Sequence, residues 1–189
     1  LAGKMQRKDF ITFVTLGEGS SNQGDFHEGA NFAGVHKLPV IIMVENNQYA
    51  ISVPVEKQLG CAKVSDRAIG YGMPGVTVDG KNPLEVYKVV KEAAERARRG
   101  EGPSLIETLT YRLTAHSSDD DHRQYRTNED IEEGRAKDPI VLFKNYLIET
   151  NVATEHELEK LNDKILEIVN DATDYAEAAP YATPEHALR

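Results

Sequence analysis

The chain has 189 residues, 40% of them hydrophobic and 28% charged, with a formal net charge of −9. That is enough for a substantial buried core, with the balance of an ordinary globular protein. The acidic balance argues against a broad phosphate-binding surface for nucleic acid, and no apolar run approaches the roughly 18 residues of a membrane helix. A small anion stays open, because backbone N–H groups and one divalent cation can hold a diphosphate. No signal peptide is visible.

In chain order, Leu1–Met5 reads as the tail of a helix with Gly3 as its stop. A strand follows almost at once, so an N-terminal portion supplying more of a sheet is expected to be missing. Phe10 to Leu16 is a continuous β-rich apolar run, read as a strand buried on both faces. Gly17 to Gly24 is a loop of small polar residues. Asp25 to Val35 is a helix in which Gly29, Ala30, Ala33 and Gly34 would allow close packing.

Pro39 to Val44 is a second buried strand, ending at Glu45-Asn46-Asn47. Cys61, the single cysteine, can form no intrachain disulfide and reads as an inert thiol. No cysteine pair or tight histidine pair offers zinc spacing. Gly75 to Val78 is a short third strand. Pro83 opens a helix to about Arg99, with a stripe of Leu84, Tyr87, Val90 or Lys91, and Ala94. Leu105 to Leu113 is a fourth strand. Two strand–helix–strand units imply right-handed crossovers, hence an α/β fold with a doubly wound, mostly parallel sheet.

Beyond Arg112 the character changes. Thr114 to Arg126 is polar, lacks hydrophobic periodicity and reads as a mobile loop, with Arg123 and Arg126 open to trypsin. Helices follow at about Asn128–Lys137 and Pro139–Thr150. Thr154 to Glu157 is a capping box opening a long helix to about Ala178, with apolar Leu158, Leu161, Ile165, Ile168 and Val169. The domain reading is residues 1–126 as the α/β domain, with residues 127–189 as a helical C-terminal region packing on it.

Two short segments carry the chemistry. Gly17-Glu18-Gly19 and Asn46-Asn47 each lie just past the carboxyl end of a strand, where open α/β sheets bind ligands. The 26 residues from Ser20 to Glu45 suffice for a loop, a helix and a strand. Glu18 and Asn47 offer a carboxylate and an amide oxygen, donors that suit Mg2+. Gly17 and Gly19 let backbone approach a phosphate. A carbonyl from the turn after Asn47 could complete the protein's share. Each segment alone is a common turn; the spacing across a strand–helix–strand unit favours a shared site.

Gly17-Glu18-Gly19, the interval and Asn46-Asn47 resemble the thiamine-diphosphate motif. The stretch from Gly17 to Ser52 is similar to the α subunit of the 2-oxo acid dehydrogenase E1 component family. So are Ser65 to Gly75, Pro103 to Asp121, and Tyr125-Arg126. The resemblance covers about four fifths of the chain. It is greatest to the bacterial branched-chain 2-oxo acid dehydrogenase branch, which Glu18 in place of the commoner Asp supports. It implies a thiamine-diphosphate-binding fold, with Mg2+ held by Glu18, Asn47 and the main-chain oxygen of Tyr49. Gly19 and Ser20 would touch the diphosphate, beside Gly17. His116 would be the active-site histidine that takes part in reductive acylation, and Arg112 would lie beside it at the cofactor. Ser117 matches a serine phosphorylated in animal mitochondrial relatives, a regulation not expected in a bacterial chain.

The resemblance further implies decarboxylation of a 2-oxo acid with acyl transfer to the lipoyl group of an E2 protein. The glutamate that activates the cofactor belongs to a β subunit, so the site would be shared in an α2β2 assembly. A bacterial member would be cytoplasmic. Glu45 stands where some branched-chain members carry a basic residue, which leaves pyruvate- and acetoin-type E1 α subunits as alternatives. A different class of alternative is a non-catalytic, Mg2+-dependent module binding a phosphorylated metabolite. Among the other histidines, His27 and His36 read as packing or surface residues on the first helix. His156 lies in the capping box, and His122 and His186 in polar segments. Asp119-Asp120-Asp121 reads as a solvated, partner-facing loop.

Overall fold

A computed structural model describes residues 1–188. The chain divides into two compact units, Leu1–Pro139 and Ile140–Arg189.

The first unit is built on a four-stranded parallel sheet in the order β1-β2-β6-β5. A one-turn helix α1 (Ala2–Met5) precedes it. Gly3 lies inside that turn rather than ending it: a Cβ there would fall 2.6 Å from the Phe10 ring. Strand β1 (Thr12–Gly17) leads through a 3-10 turn at Ser20–Asn22 into helix α2 (Gly24–Val35) and then β2 (Val40–Asn46). A small hairpin of β3 (Tyr49–Ala50) and β4 (Val53–Pro54) follows, then a 3-10 helix at Val64–Tyr71. Strand β5 (Gly75–Asp79), helix α3 (Pro83–Arg98) and strand β6 (Ser104–Leu109) complete the sheet. The fourth strand therefore stops four residues earlier than its β-rich sequence suggests, because the partner ladder runs out at Asn46 and Asp79.

The two faces of the sheet are covered by different helices, as in a doubly wound fold. Ile42, Val44 and Leu105 pack with Ala30 of α2 and with Val64 and Ala68 of the 3-10 helix. Ile41, Ile106 and Val78 pack with Ala93 of α3. Alternate residues of β2 thus serve opposite faces. Gly34 is needed where α2 crosses Tyr71, since a Cβ would sit 2.0 Å from the Tyr71 carbonyl oxygen, whereas Gly29 has no neighbour within 4 Å.

Two sequence expectations fail here. Strand β1 is an edge strand whose residues Thr12 to Thr15 are exposed, so its apolar run is not buried on both faces. The second fails in part: Val90 and Ala94 of the expected α3 stripe do pack, with Val86, Val89 and the buried Ala93 and Ala97, but Leu84 and Tyr87 are exposed. The helix carries two apolar stripes, and periodicity alone does not say which one meets the sheet. Its ends do follow the sequence: the Asn82 side chain accepts from the N–H of Leu84 and Glu85, and Pro83 opens the first turn.

Helix α4 (Asn128–Ala136) belongs to the first unit, with Ile131 and Gly134 buried. Helix α5 (Pro139–Glu149) leads into the second unit. There Thr154 caps α6 (Glu155–Ala178), accepting from the Glu157 N–H while the Glu157 carboxylate accepts from the Thr154 N–H. Leu161, Ile165, Ile168 and Val169 of α6 are exposed. No helix among the described residues is long and apolar enough to cross a membrane.

Candidate functional site

The parallel register of β1 and β2 pairs Gly17 with Glu45, so the residues that follow each strand emerge side by side. Glu18 and Asn47 meet there: the Asn47 N–H donates to Glu18 Oε2 at 3.3 Å. Glu18 is 1% exposed. Its other donor is Gln58 Nε2, on Oε1 at 3.4 Å. Both bonds are long. A carboxylate removed from water needs strong donors or a cation.

Glu107 of β6 shows the contrast. It is equally buried, but accepts from Asn46 Nδ2 at 2.8 Å, the Thr77 hydroxyl at 3.0 Å and the Ser65 N–H at 3.2 Å. One buried carboxylate is satisfied by the protein and the other is not. The residues that follow offer the oxygen types a hard cation takes: the Asn47 amide oxygen, which accepts from the Tyr49 N–H at 3.1 Å, and the Tyr49 carbonyl, which accepts from Arg112. Among the described residues no group of three or more His, Cys, Asp or Glu could hold a metal. A site here would use one carboxylate with neutral oxygens.

The turn after Asn47 is shaped for this. Gln48 and Ile51 are non-glycine residues with φ of 77° and 57°, a strained region that persists where surroundings fix it. Asn46 does the fixing. Its Oδ1 accepts from Gln48 N at 3.1 Å and Nε2 at 3.2 Å, and its Nδ2 is pinned by Glu107. The expected glycines differ in role. A Cβ on Gly19 would fall 2.5 Å from the Ala50 Cβ, so this position requires glycine; Gly17 has open space and does not. After Gly19, Ser20 opens the 3-10 turn, and Arg67 clamps it by donating to Ser21 O at 2.5 Å, Ser21 Oγ at 2.8 Å and Asn22 Oδ1 at 2.6 Å.

Arg112 ties the polar loop to the same turn. It donates to Tyr49 O at 3.4 Å, Ile51 O at 2.7 Å and the Tyr125 hydroxyl at 2.7 Å. The loop is held by polar contacts in place of a hydrophobic core. Asp120 accepts from the Tyr125 hydroxyl at 2.5 Å and from the His116 N–H at 2.8 Å. These bonds hold the Asp120 carboxyl below the usual aspartate value, the tyrosine bond contributing most. Burial pushes the Tyr125 phenol up. The His116 residue itself is exposed.

Arg126, expected to be an open protease site, is 4% exposed. Its guanidinium lies 5.5 to 5.8 Å from the ring centres of Tyr49, Tyr111 and Tyr125, and donates to Arg112 O, Thr114 O and His122 Nδ1. Tyr49 thus stands between the turn after Asn47 and the loop, its phenol pushed up by burial.

The structure therefore gathers Glu18, Gly19, Asn47, Tyr49 and Arg112 at one sheet edge, with His116 on the loop joined to it. Gln58, Arg67 and Glu107 support this arrangement and are not singled out by the sequence; Arg126 supports it too, in place of the open protease site expected there. Glu107 carried a signal, a lone acid inside the apolar run Leu105–Leu109.

The sequence profile of the dehydrogenase E1 component family matches residues 1–185. The chain is 65% identical, over its whole length, to the 2-oxoisovalerate dehydrogenase subunit alpha of Bacillus subtilis, covering 57% of that protein. It is 44% identical over 94% of its length to the pyruvate dehydrogenase E1 component subunit alpha of the same organism, covering 48% of it. It is 39% identical over 95% of its length to the 3-methyl-2-oxobutanoate dehydrogenase subunit alpha of Mycobacterium tuberculosis, covering 49% of it. The chain spans about half the length of these relatives.

Proposed function

Because the chain belongs to the dehydrogenase E1 component family, we propose that it forms the diphosphate- and Mg2+-binding part of the α subunit of a branched-chain 2-oxo acid dehydrogenase. Working with a β subunit, that enzyme decarboxylates the 2-oxo acid and passes the acyl group to a lipoyl group on an E2 protein. The observation that carries this reading is the buried, under-bonded Glu18 carboxylate beside Asn47 at the carboxyl ends of adjacent parallel strands. The 65% identity to a 2-oxoisovalerate dehydrogenase subunit, against 44% to a pyruvate dehydrogenase subunit, supports the choice of substrate branch.

Glu18, the Asn47 amide oxygen and the Tyr49 carbonyl would hold Mg2+. The N–H groups of Gly19 and Ser20 would face the diphosphate, and the absence of a side chain on Gly19 lets this backbone pack against Ala50. Thiamine diphosphate, when bound, supplies the electron sink for decarboxylation. The protein's share is position and electrostatics. Arg112 fixes the Tyr49 carbonyl and the start of the loop bearing His116, so the histidine is delivered to the same edge as the metal ligands. His116 would exchange a proton during acyl transfer to the lipoyl group.

The test is to reconstitute the full-length chain with its β subunit and compare kcat/KM on 3-methyl-2-oxobutanoate and pyruvate. Preference for the branched acid is expected. Preference for pyruvate would move the assignment to the pyruvate branch. Thermal stabilisation by Mg2+ with a nucleoside diphosphate, and none with thiamine diphosphate, would overturn it in favour of a phosphometabolite-binding module.

A further inference from the structure

Gln58 follows the 3-10 turn Val55–Lys57 and reaches back under Gly19. Its Nε2 donates to Val53 O at 2.8 Å and to Glu18 Oε1 at 3.4 Å. Two acceptors on one end of the amide fix which end is nitrogen. The other end, Oε1, is shut off from solvent and has no donor. It lies 3.3 Å from the position a Cβ on Gly19 would take. An amide oxygen in that state costs free energy unless a donor arrives.

Glu18 and Gln58 form one incomplete unit. The carboxylate has two weak donors, and the neighbouring amide oxygen has none. A bare cation would satisfy the first and leave the second orphaned. Mg2+ dehydrates reluctantly and keeps waters among its ligands, and a water on a cation points its hydrogens outward as a donor. It would satisfy Gln58 Oε1 while the cation satisfies Glu18. We propose that Gln58 is an outer-sphere binding residue of the Mg2+ site: its Nε2 orients the Glu18 carboxylate, and its Oε1 accepts a hydrogen bond from a water that the cation retains. The inference rests on the Mg2+ reading of Glu18. It assigns to the small hairpin Tyr49–Pro54 and the turn behind it a second role, holding the amide that finishes the metal's shell.

The experiment uses the full-length chain assembled with its β subunit. Mg2+ affinity at saturating thiamine diphosphate is measured by calorimetry for wild type, Gln58→Met and Glu18→Ala. Mn2+ in place of Mg2+ then reports the water protons by electron–nuclear double resonance. Gln58→Met is expected to weaken Mg2+ binding about 10- to 100-fold, the range typical of outer-shell partners, and to broaden the exchangeable water-proton signal. Gln58→Asn, which withdraws the amide by one methylene, is read in the same way if the methionine variant fails to assemble. Affinity within about threefold of wild type overturns the proposal. Weaker binding with an unchanged water-proton signal also overturns it, because Gln58 would then be only a strut for the Val53 carbonyl. Glu18→Ala separates the two failures. If it binds Mg2+ like wild type, the site reading is wrong; if it alone loses Mg2+, that reading stands and the role of Gln58 falls.

Discussion

At the scale of single residues, the comparison that matters is between Glu18 and Glu107. Both are 1% exposed. Glu107 has three donors within 3.2 Å, whereas Glu18 has two at 3.3 and 3.4 Å. Replacing Glu107 by Gln turns one acceptor oxygen into a donor, facing either the Asn46 amide or the Ser65 N–H. Leaving a buried donor unpaired costs about 1–3 kcal/mol, so Glu107→Gln should lower metal-free stability by that amount in urea unfolding. Glu18→Gln should lower it by much less, because long hydrogen bonds contribute little. The order reverses for the ligand. Glu18→Ala or Asn47→Ala should abolish Mg2+-thiamine-diphosphate binding, since Mg2+ tolerates poor octahedral geometry badly. Unchanged cofactor affinity in calorimetry would refute this.

At the scale of elements, the loop Thr114 to Arg126 is ordered by charge and hydroxyl groups. Asp120 accepts from Tyr125 and His116, and its carboxyl is held below the usual range by those bonds. A lowered folded-state value means the carboxylate form favours the folded loop. That contribution is complete above the ordinary aspartate value near about 3.9, and is lost as pH falls through the lower folded value. Amide exchange protection of the loop, corrected for intrinsic rates, should therefore stay flat from neutral pH down to about pH 5 and fall below about pH 4. Asp120→Asn should show reduced protection at neutral pH. Trypsin should cut at the exposed Arg123 before the buried Arg126.

The same elements explain what the sequence could and could not tell. The link between Glu18 and Asn47 was legible because parallel strands joined by one helix must be neighbours if the crossover is short. The phase of α3 was not, because its two apolar stripes are equally periodic. The burial of β1 was misjudged because β-rich apolar composition does not reveal whether a strand is central or at an edge. Arg126 reads as a surface residue because arginines usually are; the rings of Tyr49 and Tyr111, distant in sequence, and of the adjacent Tyr125 make it a buried one. Gln58 and Arg67 act through polar contacts to residues distant or irregularly spaced in sequence, which leave no periodic trace.

At the scale of the whole molecule, the feature that sets the chain's behaviour in solution is the exposed edge of its sheet. The outer edge of β1 has no partner strand among the described residues, and Phe13 and Val14 are 48% and 42% exposed. An apolar, unpaired edge recruits other chains. The isolated chain should self-associate in a concentration-dependent way by sedimentation velocity, and Val14→Lys should reduce that association.

The chemistry is incomplete in the same sense. Decarboxylation through thiamine diphosphate needs a proton acceptor at the cofactor's ring and a site closed to water. Of the buried acids at this sheet edge, Glu18 is assigned to the cation, and Glu107 is already satisfied by Asn46, Ser65 and Thr77. Neither is available to activate the cofactor. His116 is exposed on the loop and Glu45 is exposed at the end of β2, so neither lies in the dry surroundings that activation of the cofactor ring requires. On the proposed function, the chain would hold the anionic tail of the cofactor and leave activation of its ring to a partner. Purified alone, it should release no CO2 from 3-methyl-2-oxobutanoate at saturating Mg2+ and thiamine diphosphate. The full-length chain should gain turnover when its β subunit is added, in proportion to assembled heterotetramer. Turnover by the isolated chain, shown by mass spectrometry to be free of β subunit, would place the activating group within these residues and refute the division of labour.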